Sequence, residues 1–166
     1  MVFDRDRVKR TGKGRYQIRL RASEQVLMAD LVSMLREQLL ASTDDPSVRR
    51  LFPPAYPDDP ERDAGYQVLT RDELLEHKLA ALDTVEATLD GGELDEAAMT
   101  AWMTTLNSLR LVLGTRLDAG EDPPQLDEDD PLAPAYAVYE VLGWVLSQVV
   151  DALSADLAPP NTEPRS

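Results

Sequence analysis

Residues 95–117 read DEAAMTAWMTTLNSLRLVLGTRL, and this stretch decides the fold. Asp95 is a residue type that caps helix starts, and Met99, Trp102, Leu106, Leu109, Leu113 and Leu117 then recur at helical spacing on one face. Beyond Asp95 and Glu96 only Arg110 and Arg116 are charged, so the spacing predicts a long and deeply buried helix. A second such stretch, from about Pro134 to Asp156, carries Val138, Val141, Leu142, Val145, Leu146, Val149 and Leu153 over a broad apolar arc. The two helices are expected to pack on each other at the centre. Each is interrupted by one glycine, Gly114 and Gly143, at a cost of about 1 kcal/mol relative to alanine, which points to close backbone approach where they cross.

Two more long helices follow from the flanking sequence. Thr70-Arg71-Asp72-Glu73 has the form of a capping box, predicting a helix from Thr70 to Asp90 that stops at Gly91-Gly92. Its apolar arc holds Leu74, Leu75, Leu79, Ala81, Leu82, Val85 and Leu89. Ser23 is a good N-cap for a helix over 23–41, with Leu27, Leu31, Met34, Leu35 and Leu39 on one arc. Asp45-Pro46 opens a short helix over PSVRRLF, followed by the proline-rich loop PPAYPDDP. Near the N-terminus Tyr16, Ile18 and Leu20 alternate with polar residues after the turn chemistry of TGKG at 11–14, which predicts a β-hairpin. The expected fold is mainly α: a helical bundle of about four long helices and one short one, with an N-terminal β-hairpin. The expected organisation is a basic hairpin arm over 1–21 packed on the same domain, a helical domain over 22–157, and a disordered tail over 158–166. Residues 118–130, with seven acids and no base around Pro123-Pro124, read as a mobile surface loop.

At 166 residues with 43% hydrophobic and 29% charged side chains, the chain is one globular domain in size and composition. The longest uncharged runs, Ala97–Leu109 and Val141–Val150, fall short of the roughly 18 residues that a membrane-spanning helix requires. The segment MVFDRDRVKR puts charge where a secretory signal places its apolar stretch, so a cytoplasmic location is expected. There is no cysteine, which excludes thiolate metal sites, cysteine nucleophiles and thiol switches.

Catalytic templates are missing too: there is no G-x-S-x-G elbow, no phosphate-cradling glycine loop and no histidine beside a candidate nucleophile. His77 lies one turn from Glu73 but opposite the leucine arc, and reads as a solvated side chain. Asp127–Asp130 lacks the glycine and terminal glutamate of a calcium loop. No enzyme activity, cofactor or metal is expected.

What remains is charge and surface. The net charge is −14, yet residues 1–21 carry Arg5, Arg7, Lys9, Arg10 and four further cations against Asp4 and Asp6, leaving an arm of +6 on a body of −20. Arg5, Arg7, Lys9 and Arg10 are therefore candidate partner contacts, towards an acidic protein surface or towards nucleic acid, although the acidic body opposes approach to phosphates. Trp144 falls on the polar arc of its helix with Glu140, Ser147, Gln148 and Asp151. Either the hairpin or a loop covers it, or it anchors a partner. Lys78 sits within the leucine arc of its helix and either snorkels to a carboxylate or lines a polar interface. Trp102, Arg116, Gly114 and Gly143 read as structural.

The blocks LFPPAYPDDP at 51–60, LTRDELLEHKLAALDTV at 69–85, LNSLRLVLGTRL at 106–117 and AVYEVLGWV at 137–145, in this order and spacing, resemble the AosR-like family of actinobacterial oxidative-stress regulators, long catalogued as a domain of unknown function. The resemblance implies a non-enzymatic cytoplasmic regulator that binds an alternative sigma factor. The common proximity of family genes to that of the Clp protease adaptor implies a link to proteolysis as the alternative. A homodimer is compatible with either, no membrane partner is expected, and nucleic acid is disfavoured. Redox-sensing members use a C-x-x-x-C pair that this cysteine-free sequence lacks, and the family supplies no catalytic residue to carry over.

Overall fold

In the computed structural model, which describes residues 6–41, 45–121 and 124–157, the order of elements is β1 (Val8–Gly12), β2 (Arg15–Ile18), α1 (Ala22–Ala41), α2 (Pro46–Arg49), α3 (Pro60–Ala87), β3 (Leu94–Asp95), α4 (Glu96–Arg116) and α5 (Ala133–Leu157). The fold is mainly helical, with the expected hairpin at its N-terminal end. Arg5 and the tail 158–166 lie outside the described residues.

Helix α4 is the central element and packs chiefly against α5 and α3. Asp95 caps it, its carboxylate accepting from the Ala98 amide at 2.8 Å. Met99, Trp102, Leu106, Leu109 and Val112 are fully buried, joined by Val32 and Leu35 of α1, Leu82 and Val85 of α3, and Val145 and Val149 of α5. Trp102 donates its indole N–H to the Thr88 hydroxyl at 2.9 Å, so its one polar atom is satisfied at the end of α3.

Three boundaries depart from expectation. Helix α3 starts ten residues before Thr70: Pro60 takes the first helical position and Asp59 caps it, accepting from the Arg62 amide at 3.2 Å. Thr70 lies inside the helix and bonds back to the Tyr66 carbonyl at 2.8 Å, so the capping-box pattern there caps nothing. The extra turns are held by the loop before them. Asp63 accepts from the Ala55 and Tyr56 amides, and Arg62 and Arg71 lie over the rings of Tyr56 and Phe52. Helix α1 starts at Ala22, and Glu24 reaches back to the Arg21 amide at 3.0 Å, so Ser23 is not the cap. Helix α2 is shorter than PSVRRLF, with Leu51 and Phe52 buried in the turns after it.

The third strand is also new. Leu94 and Asp95 pair with Tyr16 and Arg15, extending the hairpin to a three-stranded antiparallel sheet in the order β1-β2-β3. Gly91 and Gly92, with φ of 93° and 107°, make the turn that delivers this strand. No helix among the described residues is long and apolar enough to cross a membrane.

Candidate functional site

The hairpin seats itself on α5 through three side chains. Gln148 accepts both the Arg7 and Val8 amides, at 2.8 and 3.0 Å, and thereby satisfies the outer edge of β1. Arg7 turns inward: its Nε lies 2.9 and 3.1 Å from the two Glu24 oxygens of α1, and its guanidinium stands 5.4 Å over the Trp144 ring. Both charged groups are largely buried, with side-chain exposures of 9% and 20%. Asp156, in the last turn of α5, binds the far end of the hairpin by accepting from the Tyr16 hydroxyl and the Gly14 amide and by pairing with Arg10.

These contacts set the ionisation of the latch. The Tyr16 hydroxyl bond, then the Gly14 amide and the Arg10 charge, hold the Asp156 carboxyl below its ordinary value. The same bond, with burial, pushes Tyr16 up to about 12.

Beside the Arg7–Glu24 pair lies a groove of about 500 Å³ between the first turns of α1 and the first half of α5. Leu27, Pro134, Ala137, Val138, Val141 and Trp144 give it an apolar lining, and Arg7, Arg21, Ser23 and Glu24 form its polar rim. Trp144 is half-buried, part of it packed on the core and capped by Arg7 and part lining the groove. The hairpin thus covers part of the ring, one of the two alternatives posed for this residue, and leaves the rest facing the groove.

The other candidates are distributed over the molecule. Lys9 is exposed on β1, away from the groove lining. Lys78 is half-buried on α3, no carboxylate among the described residues pairs with it, and burial pulls its ammonium pKa down. Arg116 ties the last turn of α4 to Asp45 at 3.6 Å and to the Met34 sulfur at 3.7 Å. Gly114 and Gly143 lie where α4 crosses α5. A Cβ on Gly114 would come within 3.2 Å of the Tyr139 ring, and one on Gly143 within 3.1 Å of the Arg110 guanidinium. His77 is exposed, and no group of three or more His, Asp or Glu side chains among the described residues is placed to hold a metal.

Sequence reasoning missed Glu24, Gln148 and Asp156. Asp156 had a signal, since a carboxylate in the last turn of a helix opposes the helix dipole and requires donors from elsewhere.

Comparison with known proteins places this architecture. The family model described as Domain of unknown function (DUF2017) matches residues 5–153. The chain belongs to this family. Among similar proteins, the Oxidative stress regulator AosR of Mycobacterium tuberculosis (strain ATCC 25618 / H37Rv) and that of Mycobacterium bovis (strain ATCC BAA-935 / AF2122/97) are each 34% identical over 116 residues, 59% of this chain and 53% of theirs. A relative from Mycobacterium leprae (strain TN) is 32% identical over 130 residues, 68% of this chain and 60% of its own. The match thus spans little more than half the length of these relatives. No solved structure matches the chain. The AosR-like resemblance carried by the four sequence blocks is thereby shown.

Proposed function

We propose that this chain is a non-enzymatic regulatory domain that works through protein–protein contact at the Trp144 groove. The observation that carries this reading is an apolar trough with a half-buried tryptophan at its edge, rimmed by a fixed Arg7–Glu24 pair. An aromatic anchor beside apolar side chains, surrounded by polar groups, is the arrangement that energetic centres of protein interfaces share. The relatives' printed name, oxidative stress regulator, supports a regulatory role in stress response. The AosR-like resemblance supports an alternative sigma factor as the partner and the cytoplasm as the location. The groove's size suits one apolar ridge of a partner helix.

The experiment is recovery of partners from the native cell on the immobilised chain, with and without nuclease, alongside the Leu27→Asp and Trp144→Ala variants. A nuclease-resistant transcription subunit is expected, with its affinity lowered about 30-fold or more by Trp144→Ala, the roughly 2 kcal/mol of an interface hot spot. Undiminished recovery on both variants would refute the groove. Recovery of Clp components alone would favour the proteolytic adaptor instead.

A further inference from the structure

The two longest uncharged runs of this strongly acidic chain, Ala97–Leu109 and Val141–Val150, belong to neighbouring helices, α4 and α5. Helix α4 is packed by α5, α3, α2 and the sheet, whereas α5 packs chiefly on α4 and β1, and Glu140, Ser147, Val150, Ser154 and Leu157 stay exposed on its other side. On the outer side of α5, Glu140, Gly143, Ser147, Val150, Ser154 and Leu157 recur in alternating steps of three and four, the 3.5-residue period by which one helix lies along another. Val150 and Leu157 on this seam are 40% and 82% exposed.

The cation at the seam has no anion among the described residues. Arg110 of α4 reaches across Gly143 and stacks on Tyr139, with Cζ 4.9 Å from the ring centre. Among the described residues its Nε is buried without an acceptor, its only hydrogen bond is a long one of 3.4 Å to the Tyr139 hydroxyl, and no carboxylate pairs with it. Glu140, one turn from Gly143 and exposed, likewise has no ion partner among the described residues. A half-buried guanidinium left without a carboxylate in a chain with 31 acids and 17 bases needs an explanation.

We infer that the outer α4–α5 face is a self-association surface that takes a second copy of this chain. A copy carrying −14 is repelled by most of another copy's surface, whereas this seam carries one charged residue, Glu140, among its six. The face is also self-complementary. Antiparallel pairing about a two-fold axis near Gly143 lays residues 133–153 of the two helices side by side, with Ser154 and Leu157 beyond the paired stretch, and sets Glu140 of each copy within about one helical turn of Arg110 of the other, so both unpaired charges are answered twice.

Sedimentation velocity of the full chain over a protein concentration series tests this. A concentration-dependent dimer is expected. Glu140→Lys and Ser147→Glu, both at exposed positions that leave the core untouched, should each weaken association at least tenfold. Arg110→Glu should do the same, and the Arg110→Glu/Glu140→Arg double variant should recover at least part of the loss, with circular dichroism confirming that each variant is folded. Leu27→Asp, in the groove, should leave the dimer unchanged, which keeps this outcome separate from that of the Trp144 groove. A monomer at every concentration, or a dimer indifferent to both Glu140→Lys and Ser147→Glu, overturns the inference.

Discussion

Replacing Gly114 with valine probes the crossing of α4 and α5 more sharply than any other single change. The first added atom, Cβ, would lie 3.2 Å from Cε2, 3.5 Å from the hydroxyl oxygen and 3.6 Å from Cζ of Tyr139. Carbon pairs prefer about 3.5–4.0 Å, so Cβ alone forces the ring back by a few tenths of an ångström, and the two γ-methyls press further on the buried crossing. The ring cannot swing freely, because its helix is fixed by Leu142 and Val145 in the core. Overpacking of this kind costs about 1–3 kcal/mol, against a helix-propensity gain over glycine of a few tenths, for a net loss of about 2 kcal/mol. In a domain of this size that lowers the melting temperature by about 4–8 °C. Gly143→Val is the internal control: its Cβ would meet the guanidinium of Arg110, the far end of a flexible side chain that has solvent to move into. Its expected loss is under about 1 kcal/mol, the lower edge of overpacking costs. Urea melts of both variants decide it. A Gly114→Val protein as stable as the parent, or one less affected than Gly143→Val, refutes the packing argument.

Further outcomes follow from the polar contacts. Asp156 is held below its ordinary value, so its contribution is complete above about pH 4 and is lost as pH falls through the lower folded value. Tyr16, raised to about 12, contributes below about pH 10 and loses its share as pH climbs towards 12. Asp156→Asn should therefore flatten both limbs of a melting-temperature profile against pH, and an unchanged profile would contradict the latch. Thr88→Val leaves the buried Trp102 indole without its acceptor and should cost about 1–3 kcal/mol in denaturant melts, whereas a neutral result would mean that the bond is replaced. Fluorescence anisotropy with labelled duplex DNA should give binding weaker than about 10⁻⁵ M at physiological salt. Sub-micromolar binding abolished by changing Arg5, Arg7, Lys9 and Arg10 to glutamine would restore the nucleic-acid reading.

The central helices were legible because periodicity over twenty or more residues leaves one consistent buried face, as Met99 to Leu113 and Val138 to Leu153 show. The ends were not. Thr70 to Glu73 carries a real capping pattern, but a capping box is a local preference of about 1 kcal/mol, and the bonds from Asp63 and the ring contacts of Arg62 and Arg71 outweigh it. Strand β3 had no signal at all, since two residues have no period and Leu94 becomes a strand only because the edge of β2 lies beside it. At the site, Trp144 stood out as an aromatic on a polar arc. Arg7 did not stand out among the cations of the arm, because what distinguishes it is the meeting of Glu24, Trp144 and Gln148 from two helices distant in sequence.

That meeting also changes what the arm's charge is for. Arg7 pairs with Glu24 of α1, Arg10 with Asp156 of α5, and Arg15 with Glu93 just before β3 at 3.8 Å, so three cations each grip a different part of the acidic body. The Arg15 contact is exposed on both sides and contributes little. Arg7 is the decisive one, because its largely buried guanidinium would lose the carboxylate that answers it. Lifting the arm to grip phosphates would break this pair, uncover the Trp144 ring and strip the edge of β1 of its Gln148 acceptor at the same time. The hairpin therefore belongs to the wall of the groove: Arg7, held by Glu24 through its guanidinium and by Gln148 through its amide, fixes the edge of the trough.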